Sequence, residues 1–337
     1  MTTYTIIGAG AIGGTVGAYM ARGGLDVRFV DADADHVAAM NRDGLTIRGY
    51  DETFTVPAQA VTPAELPDSL GAVLIAVKAP ATQTVLEQIT PRLADDGFIV
   101  SAQNGLNELV IGDAVGRERT VGCFINFSAD YLEPGIIHFG GPGAFWLGEL
   151  DGAVTPRLDQ LQTDLNHWGG GDVRMTDNIW GFLWGKMTYG AILFATALTN
   201  ETMADAISDY RLLMVGIARE VLAVAAREQV APMGFDGFEP EILGSAEGAE
   251  LDASIERMVA IRRRDQKTHT GVWRDLAIRK RKTEVDAMYG PILDLAGKYG
   301  VETPLLTRMV AMIHEIEDGA RPLQRESLDE LQSVKVS

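Results

Sequence analysis

The chain has 337 residues, long for one domain, so two domains are the expectation. A hydrophobic fraction of 46% with a net charge of −18 describes a globular protein with ample core and argues against a polyanionic nucleic-acid partner. The single cysteine, Cys123, rules out an intrachain disulfide, and no run reaches the ~18 apolar residues that span a bilayer.

Residues 189–198 are the closest approach to such a run and are too short. The apolar N-terminus lacks the basic start of a signal peptide, and the expected location is the cytoplasm, with no membrane partner. Cys123 reads as a small buried hydrophobe in a strand.

Residues 5–31 organise the first half. A short apolar strand leads into GAGAIGG, a small-residue helix follows, and a second β-rich run ends at Asp31. The three glycines differ in what they allow. Gly8 permits the tight turn, Gly10 lets backbone approach a pyrophosphate, and Gly13 lets helix and strand pack closely. Ala11 and Ile12 begin the helix, whose N-terminal N–H groups suit phosphate. Asp31 stands where a carboxylate meets the adenosine ribose hydroxyls. Strand, glycines, helix, second strand and acid together predict a dinucleotide site.

Residues 33–43 read as a helix and 45–61 as short strands. The run LGAVLIAV from Leu70 to Val77 predicts a strand buried on both faces of a parallel sheet, ending at Lys78. A helix over 82–93 and a strand over 97–102 bring the chain to Asn104. Lys78 and Asn104 thus follow the carboxyl ends of parallel strands, the edge where open α/β sheets bind ligands. The IGDA sequence at 111–114 superficially matches a flavin-binding element, but its spacing is helical, so a flavoprotein is disfavoured.

Alternating strands are expected over 121–128, 135–139 and 145–148, then a helix over 155–168 and a last strand over 173–175. Beyond Asp177 the pattern is helical: 178–199, 210–228, 251–264, 275–299 and 304–318, with a loop over 231–250. The fold class is therefore α/β, an N-terminal Rossmann dinucleotide-binding domain over 1–172 joined to an all-α C-terminal domain over 173–325. Residues 326–337 form a tail that reads as disordered.

Lys186 lies in an otherwise apolar helix. Such a lysine either snorkels to water or is held for chemistry, where a desolvated ammonium can act as general acid toward a carbonyl oxygen. Glu284 alone reads as a helix-surface carboxylate. The cationic runs at 262–264 and 279–282 are either a solvated face or a means of attracting an anionic ligand. The five histidines, at 36, 138, 167, 269 and 314, show no ligand spacing, and no metal is expected.

Taken together, GAGAIGG, the VKA of residues 77–79, Asn104 with Gly105 and Glu108, the EPGIIHFG hairpin of 133–140, Trp184 with Lys186, and KTEVD at 282–286 resemble the ketopantoate reductase family from end to end. The resemblance implies substrate bound between a Rossmann and a helical domain, with Lys186 as the catalytic acid and Glu284 assisting at the reacting hydroxyl. It also implies that Lys78 and Asn104 flank nicotinamide and substrate, and that the protein is a homodimer.

The chain departs from that family in three places. Asparagines expected one and two turns after the lysine are Gly190 and Phe194 here. The serine expected to hold the substrate carboxylate is replaced by the segment Thr270, Gly271, Val272 and Trp273, with one extra residue before Glu284. A site that loses three polar contacts discriminates differently. The expected substrate is an anionic 2-oxo or 2-hydroxy acid, or related alcohol, bulkier or more apolar than ketopantoate. Phe194 and Trp273 would line its pocket, and His269 or Arg274 would receive the carboxylate. Asp31, with Asp33 and Asp35 nearby, predicts NAD(H) over NADP(H). The alternatives are NADP-dependent ketopantoate reduction and a non-catalytic NAD sensor; the presence of both Lys186 and Glu284 argues against the sensor.

Overall fold

The computed structural model describes residues 2–264 and 267–335. The chain divides between Ile179 and Trp180 into two compact units. That division falls later than residue 172 because the strand expected over 173–175 is hydrogen-bonded into the first unit's sheet.

The described residues of the first unit form twelve strands: β1 (Tyr4–Ile7), β2 (Val27–Val30), β3 (Leu45–Arg48), β4 (Thr53–Val56), β5 (Gln59–Val61), β6 (Leu70–Ile75), β7 (Leu93–Ser101), β8 (Thr120–Asn126), β9 (Ala129–Glu133), β10 (Ile136–Phe139), β11 (Ala144–Glu149) and β12 (Val173–Met175). Eight form one sheet in the order β12-β11-β8-β7-β6-β1-β2-β5. From β5 to β8 every pairing is parallel, and β11 then runs antiparallel to β8. Successive residues of the parallel strands serve opposite faces. Ile6, Phe29, Leu74 and Val100 enter one core, while Ile7, Val30, Val73, Ile75 and Ile99 enter the other. This two-sided burial is why the strands read as unbroken apolar runs. Cys123 is buried within β8.

The chain passes from β1 outward to β2 and β5, then returns across β1 to begin β6. The loops after β1 and β6 therefore flank the switch point of the sheet, the position at which open α/β sheets generally bind ligands. A second sheet, β4-β3-β10-β9, pairs the short strands after Asp43 with the hairpin turning at Gly135.

The second unit is helical. The long helix Ile179–Thr196 and helices Arg211–Arg227, Gly248–Arg264 and Pro304–Glu317 follow the predicted pattern. Four features differ from expectation. Met203–Asp209 forms a short helix capped by the Thr202 side chain. Pro240–Ser245 adds a turn of helix within the expected loop. The helix expected over 275–299 is broken, with a π-helical turn over Asp275–Arg279, a left-handed Lys280 (φ +50°), and a fresh start at Val285–Tyr299. Finally, the expected disordered tail contains a helix over Glu326–Gln332, because Leu328 and Leu331 bury one face of it. No helix among the described residues is long and apolar enough to cross a membrane.

Candidate functional site

In the first unit the glycine turn has the geometry its spacing predicts. Gly8 sits at φ +94°, and a Cβ there would meet the Val77 nitrogen at 2.8 Å. A Cβ on Gly13 would stand 2.1 Å from the Gly8 carbonyl oxygen and 2.8 Å from the Ala76 Cβ, so helix and strand touch there. Gly10 is different: a Cβ on it would meet nothing within 4 Å. Its openness leaves a face where backbone can approach a ligand. Gly10 is also the N-cap of helix Ala11–Arg22 and offers no side-chain cap, leaving first-turn N–H groups oriented for an anion. These features fit a dinucleotide pyrophosphate.

The Asp31 carboxylate is fixed against this turn. Its Oδ2 accepts the Ala9 N–H at 2.8 Å and its Oδ1 accepts the Asp33 N–H at 3.0 Å. A carboxylate has about four acceptor positions, so two remain for ribose hydroxyls. His36, assigned no function from the sequence, holds the same turn from the other side. Gly135 donates its N–H to Nδ1 at 2.9 Å, so the ring proton is on Nε2, which donates to the Ala9 carbonyl at 2.9 Å. The Tyr131 ring stands edge-on to His36, and its hydroxyl donates to Asp33. Burial and the nearby acids push that phenol up to about 12.

Lys78 and Asn104 are both exposed in loops after β6 and β7. A chain of hydrogen bonds joins these loops. Gln103 donates to the Val77 carbonyl and to Thr82 Oγ1, Thr82 donates to Asn107 Oδ1, and Asn107 donates to the Asn104 carbonyl. Gln103, Thr82 and Asn107 carried no distinguishing sequence signal, because their partners lie on a neighbouring loop.

In the second unit Lys186 is half-buried on the long helix, between the buried Trp184 and Met187. One turn on, Gly190 faces Tyr289, whose hydroxyl oxygen lies 2.9 Å from where a Cβ would stand. Tyr289 is fully buried, donates to the Met187 carbonyl at 3.2 Å, and packs edge-on against Phe194 at 5.1 Å. Phe194 is itself buried, with the Tyr289 ring against it. Glu284 is the N-cap of helix Val285–Tyr299, rather than a residue on a helix surface, and is half-buried.

The segment before Glu284 contains a π-helical turn over Asp275–Arg279, a rare form that occurs mostly as single turns. Thr270 caps the turn ahead of it by accepting the Trp273 N–H. His269 and Trp273 stack with centroids 4.1 Å apart and are both tied to Asn200, His269 on its carbonyl and Trp273 on Oδ1. Much of the cationic run is paired: Arg279 and Arg281 share the buried Asp275, and Arg263 reaches Asp205. Arg274 differs from them, since its Nε is enclosed and makes no hydrogen bond among the described residues. No cluster of His, Cys, Asp and Glu suited to a metal occurs among the described residues.

Residues 4–152 match the family model described as ketopantoate reductase PanE/ApbA, and residues 178–317 match its C-terminal counterpart. A 2-dehydropantoate 2-reductase of Mesorhizobium japonicum is 26% identical, covering 93% of this chain and 97% of its own. The crystal structure of a 2-dehydropantoate 2-reductase from Geobacter metallireducens gives a TM-score of 0.77 at 25% identity, over 93% of this chain and 99% of that one. D-mandelate dehydrogenase, solved with NADH and anilino(oxo)acetate, gives 0.76 at 22% identity, over 94% and 99%, a likeness of fold.

Proposed function

The chain belongs to the ketopantoate reductase family, nicotinamide-dependent oxidoreductases acting on CH–OH groups, and from that premise we propose that it interconverts a 2-oxo acid and its 2-hydroxy acid with NAD(H). The bound nicotinamide supplies the hydride in reduction and takes it up in oxidation. Lys186 gives the matching proton to the carbonyl oxygen in reduction and, when neutral, accepts it in oxidation. Glu284 assists at the reacting hydroxyl, and the roles proposed for Asn104 and Lys78 are toward the nicotinamide and the substrate. Arg274 receives the substrate carboxylate, with its planar guanidinium suited to a bidentate pair, and His269 and Trp273 stand beside it in sequence as a stacked wall. Tyr289 occupies the room beside Gly190, so this wall of the helical unit presents no amide to the substrate. Of a bulkier or a more apolar substrate than ketopantoate, that loss favours the more apolar one. The expected assembly is a homodimer.

The observation that carries the reading is the open face of Gly10 beside an Asp31 already fixed on the turn. A carboxylate there favours a free ribose hydroxyl and repels a 2′-phosphate. The test is a panel of ketopantoate, benzoylformate and 4-methyl-2-oxopentanoate, assayed by cofactor absorbance with NADH and with NADPH. Preference for NADH with an aryl or branched 2-oxo acid supports the proposal. The second reading, NADP-dependent reduction of 2-dehydropantoate, is the activity named for the sequence relatives, and selective turnover of ketopantoate with NADPH would establish it.

A further inference from the structure

We propose that Glu317 is a positioning residue for the reaction, holding the segment that presents Glu284. The inference rests on the reading of Glu284 as a site residue.

Glu317 ends the helix Pro304–Glu317, and its side chain is only 2% exposed. A buried carboxylate at a helix C-terminus is in an unfavourable place twice over, since burial penalises its charge and the macrodipole repels it. Something specific must hold it there as an anion. Its Oε1 accepts both the backbone N–H of Thr283, at 2.6 Å, and the Thr283 hydroxyl, at 2.7 Å. The Thr283 oxygen in turn accepts the N–H of Val285 at 3.3 Å. The residues on both sides of Glu284 are thus fixed through one carboxylate oxygen.

The other oxygen, Oε2, faces His314 Nδ1 at 2.9 Å, and His314 Nε2 faces Asp286 Oδ1 at 2.9 Å. With a carboxylate at each ring nitrogen, the imidazolium donates to both. Burial pulls the His314 pKa down, but Glu317 and Asp286 outweigh it and leave it raised. Burial pushes Glu317 up, yet the two Thr283 donors and His314 prevail and hold it below the usual carboxylate range. The start of helix Val285–Tyr299 is therefore clamped at Thr283 and at Asp286, one residue before Glu284 and two after it. Packing the two helices together would need only apolar contact; the clamp sets the backbone from which the Glu284 side chain projects.

The test compares Glu317→Ala, Glu317→Gln, Thr283→Val, Glu284→Gln and Glu315→Ala, with NADH and the two probe acids ketopantoate and benzoylformate. Glu315 lies on the same helix and pairs with Arg308 and Arg321, so it reports loss of helix stability without loss of the clamp. Glu317→Ala is expected to lower kcat at least tenfold with NADH affinity unchanged. Glu317→Gln keeps an acceptor oxygen for Thr283 and should recover most of the rate. Glu315→Ala should lower the melting temperature with wild-type kcat. Thr283→Val, which keeps the backbone donor, serves if Glu317→Ala does not fold, and should lower kcat severalfold. Wild-type kcat in Glu317→Ala or Thr283→Val, or an equal kcat loss in Glu315→Ala, would overturn the proposal. Wild-type kcat in Glu284→Gln would instead overturn the reading beneath it.

Discussion

Gly10 and Gly13 lie three residues apart in one turn, yet the structure predicts opposite consequences for adding a methyl group to each. At Gly13 the new Cβ would stand 2.1 Å from a backbone carbonyl oxygen, and neither partner is a flexible side-chain end. Overpacking of this kind costs about 1–3 kcal/mol, while replacing a helical glycine with alanine returns up to about 1 kcal/mol. With a 2.1 Å contact to backbone placing the cost at the upper end, the net loss of about 2 kcal/mol lowers the melting temperature by about 4–8 °C for a unit of this size. At Gly10 the added Cβ meets nothing, and the cost is that of alanine at an N-cap, about 1 kcal/mol or less. The same methyl occupies the face a pyrophosphate approaches. Gly10→Ala should therefore melt within about 4 °C of wild type but bind NADH at least about tenfold more weakly, a difference of about 1.4 kcal/mol. Thermal denaturation and NADH fluorescence titration of the two variants measure both quantities. Wild-type NADH affinity in Gly10→Ala, or wild-type stability in Gly13→Ala, would refute the reasoning.

Asp31→Asn keeps an acceptor for the Ala9 N–H but removes the charge, and should reduce the preference for NADH over NADPH at least about tenfold, measured as the ratio of kcat/KM values. Glu220 is buried on helix Arg211–Arg227 and accepts the N–H groups of Leu305 and Leu306, at 2.9 and 2.8 Å, one on each oxygen. Glutamine offers only one oxygen, so Glu220→Gln should cost about 1–3 kcal/mol in denaturant unfolding. Burial raises the Glu220 pKa against the pull of those two N–H groups. A carboxyl raised in the folded state contributes stability fully below its unfolded pKa and loses it as pH rises through the folded value. The stability gap between wild type and Glu220→Gln should therefore be wider in mild acid than at neutral pH.

The first unit was legible because its signals are local. Glycine spacing dictates the turn, and strands buried on both faces, such as β6 and β7, read as continuous apolar runs wherever they pair. The bonds that hold the turn were not legible: His36 meets Gly135 and Ala9 only after the second sheet has formed. In the helical unit, residues 279–282 are good helix formers, so propensity carried the expected helix across a position that the π-turn and left-handed Lys280 interrupt. The tail looked polar, and only the spacing of Leu328 and Leu331 hinted at one buried face. Phe194 was identified as an apolar residue at a family site position, but its contact with Tyr289, far away in sequence, was not legible. Lys186 and Glu284 were legible as candidates through resemblance. The clamp on Glu284 was not, since Glu317 and Thr283 belong to different helices' ends.

The central claim is that the amine of Lys186 moves the proton that accompanies hydride transfer. Single-turnover reduction of the panel's best 2-oxo acid by Lys186→Ala, preloaded with NADH, tests it most directly. The account predicts NADH binding as in wild type and a hydride-transfer rate lower by about 100-fold or more. A variant that binds NADH normally and transfers hydride at nearly the wild-type rate would contradict it.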